Sequence, residues 1–310
     1  MPTIGIPLPS ASPFDVVGVG VNAVDHLCTV PAYPAFNSKT ALVDYDCQPG
    51  GQVATALVAL QRWGCRTAYV GTFGGDQAGD FSRASLVQEG IDVRYAYVRQ
   101  NVPNQLAIIL IDQATGERTI MMNRDTALTL DPDEIERAVV TSGRVLHLDG
   151  YDVAAATRAA TWARAAGIPV VVDVDMEVGA VDALLAVTDA VIVSLEFALA
   201  RTGAAAPELA LRRLAAETGA ALVVITRGAE GCMALMEGAL HVLPAYAIQC
   251  VDSTGAGDVF HAGFIYGLLR DWPLERVLRF ANASAALKCT ARGGRPGIPT
   301  VTAAIDLMAG

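Results

Sequence analysis

A regular alternation of strand-like and helix-like segments between Leu130 and Ile225 limits the fold of this chain more than any other feature. Short apolar runs alternate there with longer segments of helical spacing. Strands joined by helices favour a parallel sheet, and such a sheet is covered by helices on both faces. We therefore predict an α/β protein with three layers, α/β/α, around a central, mainly parallel sheet. The predicted segments are helix 131–140, strand 144–148, helix 153–166, strand 169–174, helix 178–186, strand 190–193, helix 195–201, helix 207–218 and strand 221–225.

The flanking parts of the chain add further elements, and some of these are not separated by helices. Thr40–Cys47, Gln105–Ile111 and Arg118–Met122 have the composition of antiparallel strands. We predict that residues 1–310 form a single domain, with a small β-sheet lid made from about 28–48 and 97–123. The other predicted elements are strands Phe14–Val21 and Thr67–Val70, helices Gln52–Trp63 and Gln77–Glu89, a hairpin of Cys232–Leu235 and Ala239–Val242, and helices 256–270 and 274–291.

Composition excludes several classes of protein. The chain is 53% hydrophobic and 17% charged, which permits a large core, and its net charge of −10 disfavours nucleic acid as a partner. No apolar run is long enough to span a membrane, and the first residues carry no Lys or Arg, unlike a signal peptide. The six cysteines are scattered without metal-site spacing, so we expect packing residues in a reducing, cytoplasmic setting.

The segment Asp252–Asp258, with the sequence DSTGAGD, carries the strongest chemical signal. Its glycines and alanine leave backbone N–H groups bare at the start of a helical pattern, and such helix N-termini bind anions. An acid beside an anion site would ordinarily be unfavourable. It suits a reaction in which Asp258 accepts the proton of a hydroxyl while the turn stabilises charge on a phosphoryl group. The sequence thus indicates phosphoryl transfer from a nucleotide to an alcohol.

Three other segments have both a functional and a purely structural interpretation. Gly50–Gly51 opens an alanine-rich helix, where it could bind substrate hydroxyls or simply allow tight packing. Asp25 follows an apolar strand, where open α/β sheets bind ligands, but it could also cap a turn. The turn Thr226–Gly231 suits a nucleotide phosphate or an ordinary hairpin entry. His26 and His261 adjoin the proposed site, and we assign them no catalytic role.

Two common nucleotide-binding motifs are absent from the sequence. There is no Gly-x-x-x-x-Gly-Lys-Ser/Thr, which excludes the phosphate-loop NTPases. No Gly-x-Gly-x-x-Gly begins a helix, which weakens a dinucleotide-binding interpretation.

These segments, in this order, resemble the ribokinase-like (PfkB-type) carbohydrate kinases over about residues 14–305. Gly50–Gly51 resembles the N-terminal signature of that family, and DSTGAGDVFHAGFI at 252–265 resembles its C-terminal signature. The resemblance implies an α/β/α core with a β lid over the sugar, and it implies ATP and Mg²⁺. It leaves a need for K⁺ open near Asp252 and Gly293–Gly294. Many relatives pair their lids, so we also expect a homodimer through the lid.

The resemblance also implies a set of site residues. Asp258 would be the catalytic base, and Gly255, Ala256 and Gly257 would form the anion hole. The sugar contacts would be Asn22, Asp25, Gly50, Gly51, Thr55 and Arg118, and the nucleotide contacts would be Thr226, Arg227, Gly228, Gly231, Asn282 and Ala286. The metal neighbours would be Glu196, Asp173, Asp175 and Asp252.

Two positions depart from the family pattern. Thr55 stands where the family usually has Asn, and its side chain is shorter and has no amide donor. Ser194 stands in place of the Asn in the Asn-x-x-Glu motif, which leaves Glu196 one position off. The serine resembles the ketohexokinase-type members and tilts the expected substrate towards a ketose.

We expect an ATP-dependent kinase of a small carbohydrate, ribose or a ketose such as fructose, and three alternatives stay open. A nucleoside kinase would want aromatic residues in the lid, where only Tyr33 and Tyr45 are near. A non-catalytic sugar or nucleotide sensor is mildly favoured by the two departures from the family pattern. A phosphosugar kinase would need extra cations near the lid, for which the candidates are Arg99, Arg118, Arg124 and Lys39.

Overall fold

The computed structural model describes residues 4–176 and 180–310. The strands are β1 Val16–Val19, β2 Ala23–Val30, β3 Asp44–Gly50, β4 Thr67–Val70, β5 Thr72–Gly74, β6 Tyr97–Arg99, β7 Leu106–Asp112, β8 Arg118–Asn123, β9 Val145–Asp149, β10 Val170–Val174, β11 Ala190–Ser194, β12 Leu222–Thr226, β13 Cys232–Met236 and β14 Ala239–Leu243. The helices are α1 Gln52–Arg62, α2 Gln77–Gln88, α3 Arg137–Val140, α4 Val153–Ala165, α5 Val181–Leu185, α6 Leu195–Thr202, α7 Pro207–Thr218, α8 Ala256–Leu269, α9 Leu274–Lys288 and α10 Val301–Ala309.

The central sheet has eight strands in the order β14-β13-β12-β11-β10-β9-β1-β4. The six strands from β12 to β4 run parallel, and the hairpin β13–β14 continues the sheet antiparallel at one edge. Successive side chains of a strand point to opposite faces, so Val16 packs into one apolar layer and Val17 into the other. The sheet is therefore buried on both sides.

Two helical layers cover the sheet. One face packs against α1, α2, α8, α9 and α10, and the opposite face packs against α3 to α7. Small residues allow close approach between helices: a Cβ on Gly263 of α8 would lie 2.8 Å from the Cα of Ala281 in α9. The α/β/α fold class predicted from the alternation is confirmed. Among the described residues, no helix combines the length and the apolar character needed to cross a bilayer.

A separate four-stranded sheet, which we call the lid, has the strand order β3-β2-β7-β8. Strand β2 pairs antiparallel with β3 and parallel with β7, and β7 pairs antiparallel with β8. Leu27, Ala107, Ile109 and Ile111 form its own small apolar cluster. The lid joins the core through β2, which begins only four residues after β1 ends.

Several elements differ from the sequence-based expectation. The strand predicted over Phe14–Val21 is shortened to β1, and β2 starts the lid at Ala23, earlier than the expected 28. Residues 97–99 pair with β5 instead of joining the lid. The predicted helix 131–140 is a single 3₁₀ turn followed by α3, because a reciprocal cap between Asp131 and Glu134 closes the first turn. Helix α10 was not predicted, and residues 178 and 179 of the predicted helix 178–186 lie outside the described residues.

Candidate active site

Asp258 lies in the first turn of α8, where the helix N-terminus faces the carboxyl ends of the parallel strands. Its side chain is half-buried. Burial raises the pKa of Asp258 well above its usual range, the Asp173 carboxylate raises it further, and His261 and Arg118 oppose the shift. Asp25 also acts on this pKa, so carboxyl groups from the core and from the lid share one cleft. A carboxylate with a raised pKa is a stronger proton acceptor.

The turn before Asp258 has room for an anion. Gly255 has φ 77°, and a Cβ there would lie 2.7 Å from the Cα of Gly294, so only glycine fits. At Gly257 a Cβ would meet no atom within 4 Å. Among the described residues, the buried hydroxyl of Thr254 in this turn finds no hydrogen-bond partner. The first turn of α8 therefore borders open space at Gly257, close in sequence to an unpartnered hydroxyl.

Asp252 closes the turn from below and is fully buried. Its two carboxylate oxygens accept hydrogen bonds from the backbone N–H of Thr254 at 2.8 Å and of Gly293 at 2.7 Å. Its backbone carbonyl accepts a hydrogen bond from Nζ of Lys288 at 2.7 Å. Asp252 thus ties the turn to the segment after α9.

Asp25 lies within β2 of the lid, not in a loop after the core strand, and it is buried. Burial raises its pKa to about 6, with Arg295 and Arg118 acting to lower it and Asp252 to raise it. A Cβ on Gly50 would lie 2.0 Å from Oδ2 of Asp25, so glycine is required at 50. Gly51, with φ 93°, forms the N-cap of α1 and passes close to the backbone of Asn22.

Thr55 has a partner that the sequence did not suggest. The fully enclosed guanidinium of Arg295 lies 3.5 Å from Oγ1 of Thr55, and it donates to the carbonyl of Gly50 at 3.0 Å and to Oγ of Ser85 at 2.9 Å. The arginine therefore fills the room beside the short threonine and sets a positive charge near Asp25. No local pattern marks Arg295, because Thr55 and Arg295 are 240 residues apart.

Two other predicted sugar contacts, Asn22 and Arg118, already make hydrogen bonds within the protein. Asn22 is buried and donates from Nδ2 to Oη of Tyr69 at 3.0 Å and to the carbonyl of Thr72 at 2.7 Å, while its Oδ1 has no partner among the described residues. Arg118, at the start of β8, is exposed and donates to Oγ of Ser253 at 3.0 Å. Asn22 could therefore only accept from a ligand, and Arg118 bridges the lid to the turn.

The predicted metal neighbours do not form a closed cage. Asp173 is the penultimate residue of β10 and is buried. Its Oδ2 lies 3.5 Å from Nδ1 of His261, and burial raises its pKa well above the usual range. Asp175, two residues further along the chain, is exposed, and so is Glu196 in the first turn of α6. Within residues 4–176 and 180–310, no three acidic, His or Cys side chains are grouped as metal ligands. These donors fit a magnesium ion that arrives with nucleotide phosphates and takes one or two carboxylates.

Asp149, at the end of β9, also belongs to this edge although the sequence analysis missed it. It is buried and accepts from the backbone N–H of Val21 at 2.6 Å, and burial raises its pKa to about 7. A Cβ on Gly20 would lie 2.1 Å from Oδ2 of Asp149. Its position at the end of a strand was the available signal.

The predicted nucleotide loop follows β12. Oγ1 of Thr226 donates to the carbonyl of Val193 at 3.3 Å, and the guanidinium of Arg227 is 2.9 Å from Oε2 of Glu230. Gly228 and Gly231 have φ of 53° and 90°, and a Cβ on Gly231 would strike the carbonyl of Leu243 at 2.1 Å. Arg227 is thus held by its own loop, whereas the glycines let the loop turn tightly over the sheet edge.

Asn282 and Ala286 are buried in α9 beside that loop. Nδ2 of Asn282 donates to the carbonyl of Pro244 at 3.2 Å. Pro244, Tyr246 and Arg279 line a recess of about 340 Å³ next to it. An open recess therefore lies beside Asn282, and Asp258 is not among the residues that line it.

Two residues with open interpretations have structural roles. Ser194 caps α6 by accepting from the backbone N–H of Phe197 at 3.2 Å, which explains a serine at this position. The ring nitrogens of His261 lie 2.8 Å from the carbonyl of Gly257 and 3.2 Å from that of Ile192, and burial lowers its pKa. His261 thus contacts the first turn of α8 through Gly257, and its assignment as non-catalytic stays a prediction.

The α/β/α core and the separate β lid define the fold of the ribokinases. The half-buried Asp258 in the first turn of α8 agrees with a phosphotransferase of that class. The model of the pfkB family of carbohydrate kinases matches residues 16–301. The chain belongs to that family, and the predicted activity of an ATP-dependent sugar kinase, a phosphotransferase with an alcohol group as acceptor, is confirmed at this level.

Individual relatives agree with this assignment. A ribokinase of Haemophilus influenzae is 25% identical over 93% of this chain and 96% of its own length. A fructokinase of Klebsiella pneumoniae is 29% identical over 81% of this chain and 89% of its own. A crystal structure from Agrobacterium tumefaciens, provisionally named a ribokinase, is 26% identical with a TM-score of 0.88, covering 96% of this chain and 97% of that one. Arabidopsis thaliana ribokinase, crystallised with ribose and ATP, has a TM-score of 0.79 at 21% identity and covers 95% and 98%.

Proposed function

We propose that the protein transfers the γ-phosphoryl group of ATP to a hydroxyl of ribose or of a ketose such as fructose, with Asp258 as the general base. The observation that carries this proposal is the position of Asp258 in the first turn of α8, directly beside an amide turn with an unfilled space at Gly257. The base and the anion site lie within one helical turn, as in-line phosphoryl transfer requires.

In this mechanism the sugar lies between Asp25, Gly50–Gly51 and the lid. Asp25 accepts sugar hydroxyls, Oδ1 of Asn22 accepts another, and Thr55 with Arg295 closes the floor of the pocket. The reacting hydroxyl points to Asp258, which takes its proton as the phosphoryl group is transferred. The amides of Gly255, Ala256 and Gly257 stabilise the charge on the equatorial oxygens.

The nucleotide lies on the other side of the turn, along Thr226–Gly231, with its base towards Asn282 and Ala286. Support comes from the glycine turn at the end of β12 and from the open recess beside Asn282. Magnesium, held through Glu196, Asp173 or Asp175, would supply positive charge to the phosphates. Arg118 links the lid to Ser253 of the turn, so lid closure and anion binding are connected.

A neutral sugar is favoured over a phosphosugar by the ion pairs of two arginines that were candidates for binding a second phosphate. Arg99 is 2.5 Å from Oε2 of Glu134, and Arg124 is 2.9 Å from Oδ2 of Asp152. Both charges are therefore already compensated. Of the other two candidates, Arg118 donates to Ser253 of the turn and Lys39 is exposed.

An assay of sugar-dependent ATP consumption over ribose, fructose, other pentoses and hexoses, their phosphates, and adenosine tests the proposed function. We expect the highest kcat/KM for ribose or a ketose. Faster turnover of adenosine or of a sugar phosphate would contradict the substrate class, and sugar binding without turnover would contradict the enzyme and favour a sensor.

Sugar affinity should depend on the ionisation of Asp25. Its pKa is raised to about 6, so the side chain is a full acceptor above that pH and a protonated, weaker acceptor below it. Sugar binding, measured by calorimetry, should weaken as the pH falls through about 6. Measuring it in the Asp258→Asn variant removes the Asp258 carboxyl, whose pKa is also raised. Retention of the same pH dependence in an Asp25→Asn, Asp258→Asn double variant would contradict the assignment.

We also propose that two copies pair through their lids in the cytoplasm. The lid exposes apolar side chains that a monomer would leave in water: Val43, Tyr45, Ile108, Ile120 and Met121 are between 40% and 53% exposed. All six cysteines carry free thiols, as expected for a reducing compartment.

Light scattering at micromolar concentration should give twice the 32.3 kDa of one chain. Ile120→Asp should shift the mass towards the monomer, because the new charge would have to be buried in the interface. Leu209→Asp, an equally exposed position on α7, is the matched control and should leave the mass unchanged. A monomeric parent protein would overturn the lid pairing.

A further inference from the structure

Lys288, one of two lysines in the sequence, has no exposed surface. It lies in the last turn of α9, where the helix dipole favours a cation. Its Nζ donates to the backbone carbonyl of Asp252 at 2.7 Å. Burial lowers its pKa, and the Asp252 carboxylate opposes that shift. Burying an ammonium group is costly unless it is compensated, so a fully enclosed lysine here calls for a function.

The contacts of Lys288 lead directly to the anion-binding turn. Asp252, whose carbonyl it holds, accepts from the amide of Gly293 through its side chain. The next residue, Gly294, is the backbone against which Gly255 packs. The lysine charge therefore lies at the start of the turn Asp252–Asp258, next to the backbone of Asp252.

The resemblance to carbohydrate kinases left a requirement for K⁺ open in this neighbourhood, and the residues present do not fit such an ion. A cation would need free oxygen ligands. The carbonyl of Asp252 accepts from Nζ of Lys288 and each of its carboxylate oxygens accepts a backbone amide, so an ion there would have to share all three oxygens with these donors. A second positive charge would also lie next to the lysine and be repelled by it.

We propose that Lys288 is a positioning residue that acts as a built-in cation: its ammonium group takes the place of a monovalent metal ion at the start of the anion-binding turn. This inference rests on the proposed function, since it concerns the turn that binds the transferred phosphoryl group. Its consequence is a kinase whose turnover does not depend on K⁺ or Na⁺.

Kinase assays in potassium chloride and in tetramethylammonium chloride, at equal ionic strength, test whether turnover is independent of K⁺. The parent protein should have the same rate in both salts. Stimulation of the parent protein by K⁺ would overturn the proposal, and this result does not require any variant to fold.

Two substitutions separate charge from volume. Lys288→Ala removes the ammonium and leaves room for an ion, so we expect a rate loss of about 100-fold in tetramethylammonium, the scale of a small misplacement of reacting groups, with recovery in K⁺ or NH₄⁺. Lys288→Met removes the charge but keeps the side-chain length, so it should lose rate without recovery. A Lys288→Ala variant that keeps full rate, or that no cation restores, would contradict the proposal.

Thermal unfolding gives a readout that does not depend on activity. An ion that binds the folded state raises Tm. K⁺ should raise the Tm of Lys288→Ala relative to tetramethylammonium, whereas the parent protein and Lys39→Ala, which removes the exposed lysine, should show no such difference. If no sugar is phosphorylated, the proposed function fails, but this measurement still decides whether Lys288 occupies a cation site. A K⁺-dependent rise of equal size in the parent protein would refute it.

Discussion

Asp258→Asn should lower kcat by about 10² to 10⁴, the range for loss of a general base, while sugar and ATP still bind. Asparagine keeps the size of the side chain but cannot accept the hydroxyl proton. Burial and Asp173 raise the pKa of Asp258, and the strength of this base is lost with the substitution. Steady-state kinetics should therefore show the loss in kcat, with KM for the sugar changed little.

Asp80→Asn is the matched control, because it makes the same chemical change at an exposed position in the first turn of α2. Its kcat should equal that of the parent protein. Near-normal turnover by Asp258→Asn, with calorimetry showing intact binding of sugar and nucleotide, would exclude Asp258 as the base.

Two glycine substitutions in the anion-binding turn should have different effects. Gly255→Ala places a Cβ 2.7 Å from the backbone of Gly294 at φ 77°, so it must displace that backbone. We expect about 1–3 kcal/mol lower stability from the strained residue, together with a rate loss of about 10² to 10³ from misplaced amides. Calorimetric unfolding and steady-state kinetics measure the two effects.

Gly257→Ala meets no protein atom within 4 Å, and its φ is not in the left-handed region. The fold should tolerate it with Tm unchanged or slightly raised, since alanine is the better helix former. The new methyl group would nevertheless occupy the space proposed for the phosphoryl group, and kcat should fall by a similar factor. A Gly257→Ala variant with full activity would show that the phosphoryl group binds elsewhere.

Some of the site could be predicted because its signals are local. The turn Asp252–Asp258 places an acid, two glycines and a helix start within seven residues, and Gly255 and Gly257 have the backbone geometry and the open space that this pattern requires. Strand and helix periodicity in 144–225 was also local, since side chains facing two buried layers must alternate. The roles assigned to these residues in binding and catalysis stay predictions.

Other expectations failed at places where a distant contact decided the local structure. The helix predicted over 131–140 is interrupted after one turn, and Glu134, which helps to cap that turn, is paired with Arg99 from another segment. The strand expected to end at Val21 ends at Val19, and the amide of Val21 instead donates to Asp149 of β9. Neither partner could be inferred from the neighbouring sequence.

The sequence by itself determined the layered α/β architecture and the chemistry of one turn, since both depend on residues a few positions apart. The tertiary structure alone decided which charges surround that turn. Arg295 lies beside Thr55 although the two residues are 240 positions apart in the sequence. The buried ammonium group of Lys288 binds the carbonyl of Asp252, which is 36 positions away in the sequence. A buried charge must find a partner wherever the folded chain supplies one, and that choice depends on distance in space, which local sequence does not encode.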